Sequence, residues 1–163
     1  MPRLHGYTKK ALIELYTKMV TARRSDEKMM ILLRQGKAFF LTSCAGHEVA
    51  QLAAAQNIKP GVDWSYVYYR DAAFVLGLGT TSREHLLSFL AKKDDPDSGG
   101  RQFPYHFSRK DLRIVSPSSA TGMQYLHAVG AGLAIKWEKS REVVYVSSGE
   151  GTTSQGDFHE ALN

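Results

Sequence analysis

Cysteine is nearly absent from this sequence: Cys44 is the only one in 163 residues. A single thiol excludes an intrachain disulfide framework and a cysteine zinc site. Long apolar runs are missing as well, with no stretch near the roughly 18 residues a membrane helix needs, so no membrane association is expected. The opening Met1-Pro2-Arg3-Leu4-His5-Gly6 has no apolar core of the signal-peptide kind, and a cytoplasmic location is the expectation. The 21 Lys and Arg against 16 Asp and Glu give a net charge of +5 and a pI near 9.3. These basic residues are scattered, with no compact run carrying interleaved aromatics, which disfavours nucleic acid and favours an anionic small ligand. The sequence has no internal repeat and no low-complexity segment.

What is present is a chain of one-domain size, 43% apolar, able to bury a core. Tyr7 to Gln35 reads as a long helix, with Leu12, Tyr16, Met19, Met30 and Leu33 on a period of roughly 3.6 residues and Gly36 as its stop. Its centre, Arg23-Arg24-Ser25-Asp26-Glu27-Lys28, reads as a solvated face. After Phe39-Phe40-Leu41, the run Ala45-Gly46-His47-Glu48 opens a small-residue helix that continues through Val49, Leu52 and Ala55 to Asn57. His47 and Glu48 there serve capping or packing, with a charge pair or a site as the alternative. Lys59-Pro60-Gly61 is a turn.

Trp64 to Asp71 is aromatic and extended, and it delivers Arg70 immediately before another helix, Ala72 to Gly79. Arginine is well shaped for bidentate phosphate contact; the alternative is an ordinary ion pair with Asp71. Thr81-Ser82-Arg83-Glu84 has capping-box spacing ahead of a helix carrying Leu86, Leu87, Phe89 and Leu90. Lys92 to Thr121 is a long loop, a kind that is functional or disordered, and its aromatics and His106 disfavour a plain linker. With an ordinary pKa near 6.5, His106 suits substrate contact or proton handling; a structural role is the alternative. Gly122 to Glu138 is a helix whose small residues allow a close neighbour.

The stretch from Val143 to Leu162 carries the strongest local pattern: a β-branched apolar hexamer, then Gly149-Glu150-Gly151, then Ser/Thr and a helix-like segment. Glycines let backbone approach a ligand closely, a helix start turns free N–H groups toward an anion, and Glu150 offers a hard oxygen to a divalent cation. Strand, loop and a short helix leave a parallel sheet unfinished, so the expected fold class is α/β, the front part of a larger domain.

Five segments in order resemble the α part of the thiamine-diphosphate-dependent E1 component of 2-oxo acid dehydrogenases, branched-chain (2-oxoisovalerate) type. They are Ala45-Gly46-His47-Glu48-Val49-Ala50, Tyr68-Tyr69-Arg70-Asp71, Gly100-Arg101-Gln102-Phe103-Pro104-Tyr105-His106, Ala128-Val129-Gly130-Ala131-Gly132 and Gly149 to Asp157. The resemblance implies an N-terminal helical extension over 1–40. Residues 41–163 would then be the front part of a thiamine-diphosphate-binding domain, a parallel sheet with helices on both faces. It implies that Tyr69 and Arg70 hold the cofactor diphosphate, that Ser119 and Thr121 cup its aminopyrimidine, that Gly149, Gly151 and Thr152 shape the diphosphate loop, and that Glu150 ligates Mg²⁺. The family often has Asp at that last position, and Glu narrows the chain to the branched-chain side. A structural K⁺ found in some relatives is not expected here, because Ala120 and Met123 replace the usual proline and threonine.

The implied activity is oxidative decarboxylation of branched-chain 2-oxo acids with acyl transfer to a lipoyl group, and the cofactor supplies that chemistry. The implied partners are an E1 β subunit or fused β half, a lipoyl-bearing E2 and a small 2-oxo acid, in an oligomer. The family's second Mg²⁺ ligand, an Asn, lies beyond Asn163, so the chain alone is expected to bind the cofactor poorly and to be inactive. The alternatives are a pyruvate or acetoin dehydrogenase E1 α part, and a truncated, non-catalytic interaction domain.

Overall fold

Ordinary helix signals start the architecture. In the computed structural model, which describes residues 6–163, α1 spans Lys9–Arg34. The Thr8 side chain accepts the Ala11 N–H at 3.1 Å to open it, and Gly36, at φ +70°, follows its end. The reading of Met1-Pro2-Arg3-Leu4-His5 as lacking a signal core falls on residues outside those described. The packed line of α1 is Leu15, Met19, Ala22, Asp26, Met29 and Leu33. Tyr16, expected on that line, is instead 66% exposed. Docking of the next elements on Ala22 and Asp26 selects this face, and neither residue marks a core in hydropathy.

Next come α2 (Glu48–Ala55) and α3 (Ala72–Leu78), shorter than the helix to Asn57 read from sequence but in the expected order. They pack so closely that a Cβ on Gly77 would lie 2.5 Å from the Ala55 Cβ. Between them, β1 is only Trp64–Tyr66, and the chain then turns at Tyr68–Asp71 instead of staying extended. In α4 (Ser82–Phe89) the capping box forms as its spacing predicts, with Thr81 and Glu84 bonding each other's backbone N–H.

The loop from Lys92 to Thr121 is ordered by its aromatics. Tyr105 and Phe107 are buried against Met29 and His85, and Ile114 bridges Ser65 of β1. Helix α5 (Met123–Trp137) then leads to β2, Val144–Val146, which pairs parallel with β1 in the register Trp64–Val144, Ser65–Tyr145, Tyr66–Val146. The α/β reading with a parallel sheet holds. After β2 comes a short 3-10 helix, Glu150–Ser154, and only then α6, Gly156–Leu162. No described helix is long and apolar enough to cross a membrane.

Two consequences are measurable. Gly77→Ala forces α2 and α3 apart and should cost about 1–3 kcal/mol in urea unfolding, as overpacking does. The second concerns His85, buried with Nε2 2.8 Å from the Thr80 hydroxyl, whose burial pushes its pKa down to about 4. The unfolded imidazole takes a proton below about 6.5 and the folded one only near 4, so this group removes stability as pH falls through that window. Asp71 and Asp97, pushed up to about 6 by burial, act with the opposite sign between about 6 and 3.8. In His85→Gln the stability at pH 7 minus that at pH 5 should therefore fall by on the order of 2 kcal/mol.

Candidate active site

Parallel pairing sets the carboxyl ends of β1 and β2 side by side, where ligands bind in open α/β sheets. From β1 the chain enters the turn Tyr68-Tyr69-Arg70-Asp71, and from β2 the loop Ser147-Ser148-Gly149-Glu150. Two cavities open at this end and share Arg70. One, of about 550 Å³, is walled by Ser43, His47, Tyr68, Asp71, Gly149 and Glu150. The other, of about 480 Å³, is walled by Phe40, Thr42, Tyr69, Phe103, His106 and Ser119. The first is polar and the second largely aromatic.

Arg70 is the hinge of this arrangement. Its guanidinium donates to the Ser43 carbonyl at 3.3 Å and lies 5.6 Å from the centre of the Tyr69 ring. It does not pair with Asp71, and among the described residues no carboxylate is within 4.0 Å of it. A guanidinium held by one carbonyl and one ring keeps most of its donors for an incoming anion. Backbone contacts fix its position: Thr42 donates to the Tyr69 carbonyl at 3.1 Å and the Gln51 amide to the Arg70 carbonyl at 2.9 Å.

Asp71 turns inward. Its carboxylate accepts the Tyr68 N–H at 3.2 Å, the Gln51 amide at 3.3 Å and the Ser147 hydroxyl. Burial pushes its pKa up to about 6, opposed by the Ser147 and Tyr68 hydrogen bonds. The β2 loop is held on its other side by α5, where Gln124 donates to the Ser147 carbonyl at 3.0 Å and Tyr125 bonds the Ser148 hydroxyl.

The His47–Glu48 pair divides its duties. Glu48 is buried and accepts two bonds from the Arg23 guanidinium, at 2.6 and 3.1 Å, and one from Gly46 N–H at 2.9 Å. His47 is exposed at the N-cap of α2 and lines the polar cavity. Hence the mixed-sign centre of α1 is not wholly a solvated face. Besides Arg23, its buried Asp26 accepts the Ser43 hydroxyl at 2.7 Å and the Cys44 N–H at 3.2 Å. That places the carbonyl that receives Arg70.

His106 is oriented at both ring nitrogens, Nδ1 3.1 Å from the Phe103 carbonyl and Nε2 2.5 Å from the Ser119 hydroxyl. A carbonyl only accepts, so Nδ1 is the donor to Phe103, and Nε2 faces the Ser119 hydroxyl, which can donate or accept. Tyr69, Arg70, His106, Ser119, Gly149 and Glu150 are thus brought to the two cavities. Thr152 is buried, its N–H donating to the Gly149 carbonyl at 3.0 Å, while Gly151 and Thr121 are exposed and line neither cavity. The 3-10 helix begins at Glu150 itself, so the start of α6 is displaced from the loop. Among the described residues no three His, Cys, Asp or Glu side chains converge as a metal cluster. Sequence reasoning missed Asp71, Gln51, Asp26 and Phe40. A glutamine inside the apolar helix α2 was the one available signal.

Residues 16–163 match the family model of the dehydrogenase E1 component. The chain belongs to that family. It is 44% identical over 158 residues to the 2-oxoisovalerate dehydrogenase subunit alpha of Bacillus subtilis (strain 168), covering 97% of this chain and 48% of the relative. It is 32% identical over 151 residues to the mitochondrial 2-oxoisovalerate dehydrogenase subunit alpha 2 of Arabidopsis thaliana, covering 93% and 32%. It is also 32% identical over 156 residues to the pyruvate dehydrogenase E1 component subunit alpha of Staphylococcus aureus (strain COL), covering 96% and 39%. The chain spans about half the length, or less, of these relatives.

The Asp26 contacts make a prediction about Cys44, which is buried with its thiol pKa pushed up to about 12 by burial and by Asp26. A thiol so protonated is a poor nucleophile. It should label with a thiol reagent only when the fold opens. Asp26→Ala leaves the Cys44 N–H without its acceptor and should cost about 1–3 kcal/mol, read as faster labelling and a lower urea midpoint.

Proposed function

We propose that this chain supplies the α side of a thiamine-diphosphate-dependent E1 component acting on branched-chain 2-oxo acids, with acyl transfer to a lipoyl-bearing E2. One observation carries the proposal: Arg70, without a carboxylate partner among the described residues, stands on the wall common to a polar cavity with Gly149 and Glu150 and an aromatic cavity with His106.

The donor set fits a diphosphate with a hard cation. Mg²⁺ is held by one or two carboxylates together with phosphate oxygens and water, so Glu150 as a single carboxylate suits a metal that arrives with its anion. Arg70 and Tyr69 hold the diphosphate, Gly149, Gly151 and Thr152 shape the loop over it, and the backbone around Ser119 and Thr121 approaches the aminopyrimidine. When bound, thiamine diphosphate supplies the electron sink for loss of the substrate carboxylate as CO₂. Phe40, Tyr69 and Phe103 offer an apolar wall to a branched side chain. His106, once Nε2 is free of Ser119, takes or delivers a proton there. The aromatic cavity favours a branched acyl group over the acetyl group of pyruvate. An E1 β component completes the site.

The test is calorimetric titration of thiamine diphosphate with Mg²⁺ into the chain, alone and with a branched-chain-type β component, where tighter binding with the partner is expected. Arg70→Ala should weaken binding about 10- to 100-fold, the range of a charge-assisted contact. Glu150→Gln should remove the Mg²⁺ dependence. Unchanged affinity in Arg70→Ala would overturn the assignment.

A further inference from the structure

The Asp71 carboxylate is a buried charge to which the proposed chemistry gives no task. Among the described residues no cation lies within 4.0 Å of it, and its exposure is 2%. Burying a carboxylate without a counter-ion is costly, and an apolar side chain of similar volume would fill the space at lower cost. What the carboxylate does that an apolar group cannot is join three separate pieces of chain: the Tyr68–Arg70 turn through Tyr68 N–H, helix α2 through Gln51, and the β2 loop through the Ser147 hydroxyl. Gln51 adds to the same node, its amide donating to the Arg70 carbonyl and its oxygen accepting the Ala73 N–H at 3.1 Å.

Each connection leads to a ligand group. Asp71 directly follows Arg70, and Ser147 precedes Glu150 by three residues, so the Asp71–Ser147 bond spans the two loops that carry them. The Tyr66 carbonyl, which accepts the Ser147 N–H at 3.2 Å, is the nearest other tie between them. We propose that Asp71 is a positioning residue, which with Gln51 and Ser147 fixes the separation between the Arg70 guanidinium and the Glu150 carboxylate and so preorganises the site for a diphosphate–metal ligand. Preorganisation of this kind raises affinity by removing the ordering cost of the loops at the moment of binding. The proposal rests on the functional reading above for the identity of the ligand, but the coupling of the loops is a property of this chain alone.

The test uses Asp71→Asn and Ser147→Ala in the 163-residue chain, followed by amide hydrogen exchange. The Thr152 N–H, bonded to the Gly149 carbonyl, reports the β2 loop, and the Leu90 N–H, bonded to the Leu86 carbonyl of α4, reports a helix end away from the node. In Ser147→Ala, which deletes one hydroxyl and leaves Asp71 in place, Thr152 should exchange about tenfold faster or more, with Leu90 unchanged. Asp71→Asn should act in the same direction, because its amide nitrogen has to face either the Gln51 amide or the Tyr68 N–H, both of them donors. Equal acceleration of both amides, or no change at Thr152, would reduce the node to ordinary packing and overturn the proposal. Calorimetry with Mg²⁺ and inorganic pyrophosphate supplies the second arm: both variants should bind about tenfold more weakly than the parent, and parent-like affinity would also overturn it. The titration is run with the β component present, because the chain alone is expected to bind weakly; a parent that binds no pyrophosphate even then would count against the functional reading, and the exchange ratio would decide the coupling by itself.

Discussion

Parallel pairing of two three-residue strands is the constraint on which the rest depends. A parallel pair cannot be closed by a tight turn, so a long crossover has to run between β1 and β2. Here that crossover holds α3, α4, the aromatic loop and α5. Both strands also end on the same side, and the Arg70 turn and the Glu150 loop leave from that side. Arg70 and Glu150, 80 positions apart in the chain, become neighbours of one cavity for this reason.

Charge is distributed around this end in a way that separates tasks. Arg23 is committed to Glu48, Arg109 to Glu84 and Asp111, and Arg113 to Glu142. These pairs tie α1 to α2, the aromatic loop to α4, and the segment before β2 to the same loop. Arg70 has a carbonyl and a ring for neighbours instead, so its charge is held in position without being neutralised. The acids that might have quenched it are turned elsewhere: Asp26 caps the Ser43–Cys44 backbone, and Asp71 faces the core.

Aromatic packing performs the second task, ordering a loop too long to be held by backbone pairing. Tyr105 adopts φ +69°, an uncommon conformation for a bulky residue. Its ring is buried among Met29, His85 and Phe107, which offsets the cost of that backbone geometry. The next residue is His106, aimed into the aromatic cavity. Phe40 and Phe103 close the other wall in an edge-to-face contact, with ring centroids 5.5 Å apart.

The sequence by itself determined the order and type of the elements, because hydrophobic period, capping spacing and glycine stops are local signals. The Thr81–Glu84 capping box and the end of α1 near Gly36 follow from residues within a few positions of each other. Motif spelling also determined the family and pointed to Tyr69, Arg70, His106 and Glu150. What only the tertiary structure decided is which of these share a cavity, and what holds them there. That Arg70 ignores Asp71, that Asp71 instead reaches Ser147 across the sheet, and that Asp26 sits in the packed line of α1 all depend on partners 17 to 76 residues distant. Hydropathy treats such buried polar groups as surface, since their burial becomes affordable only when a fold supplies the matching donors.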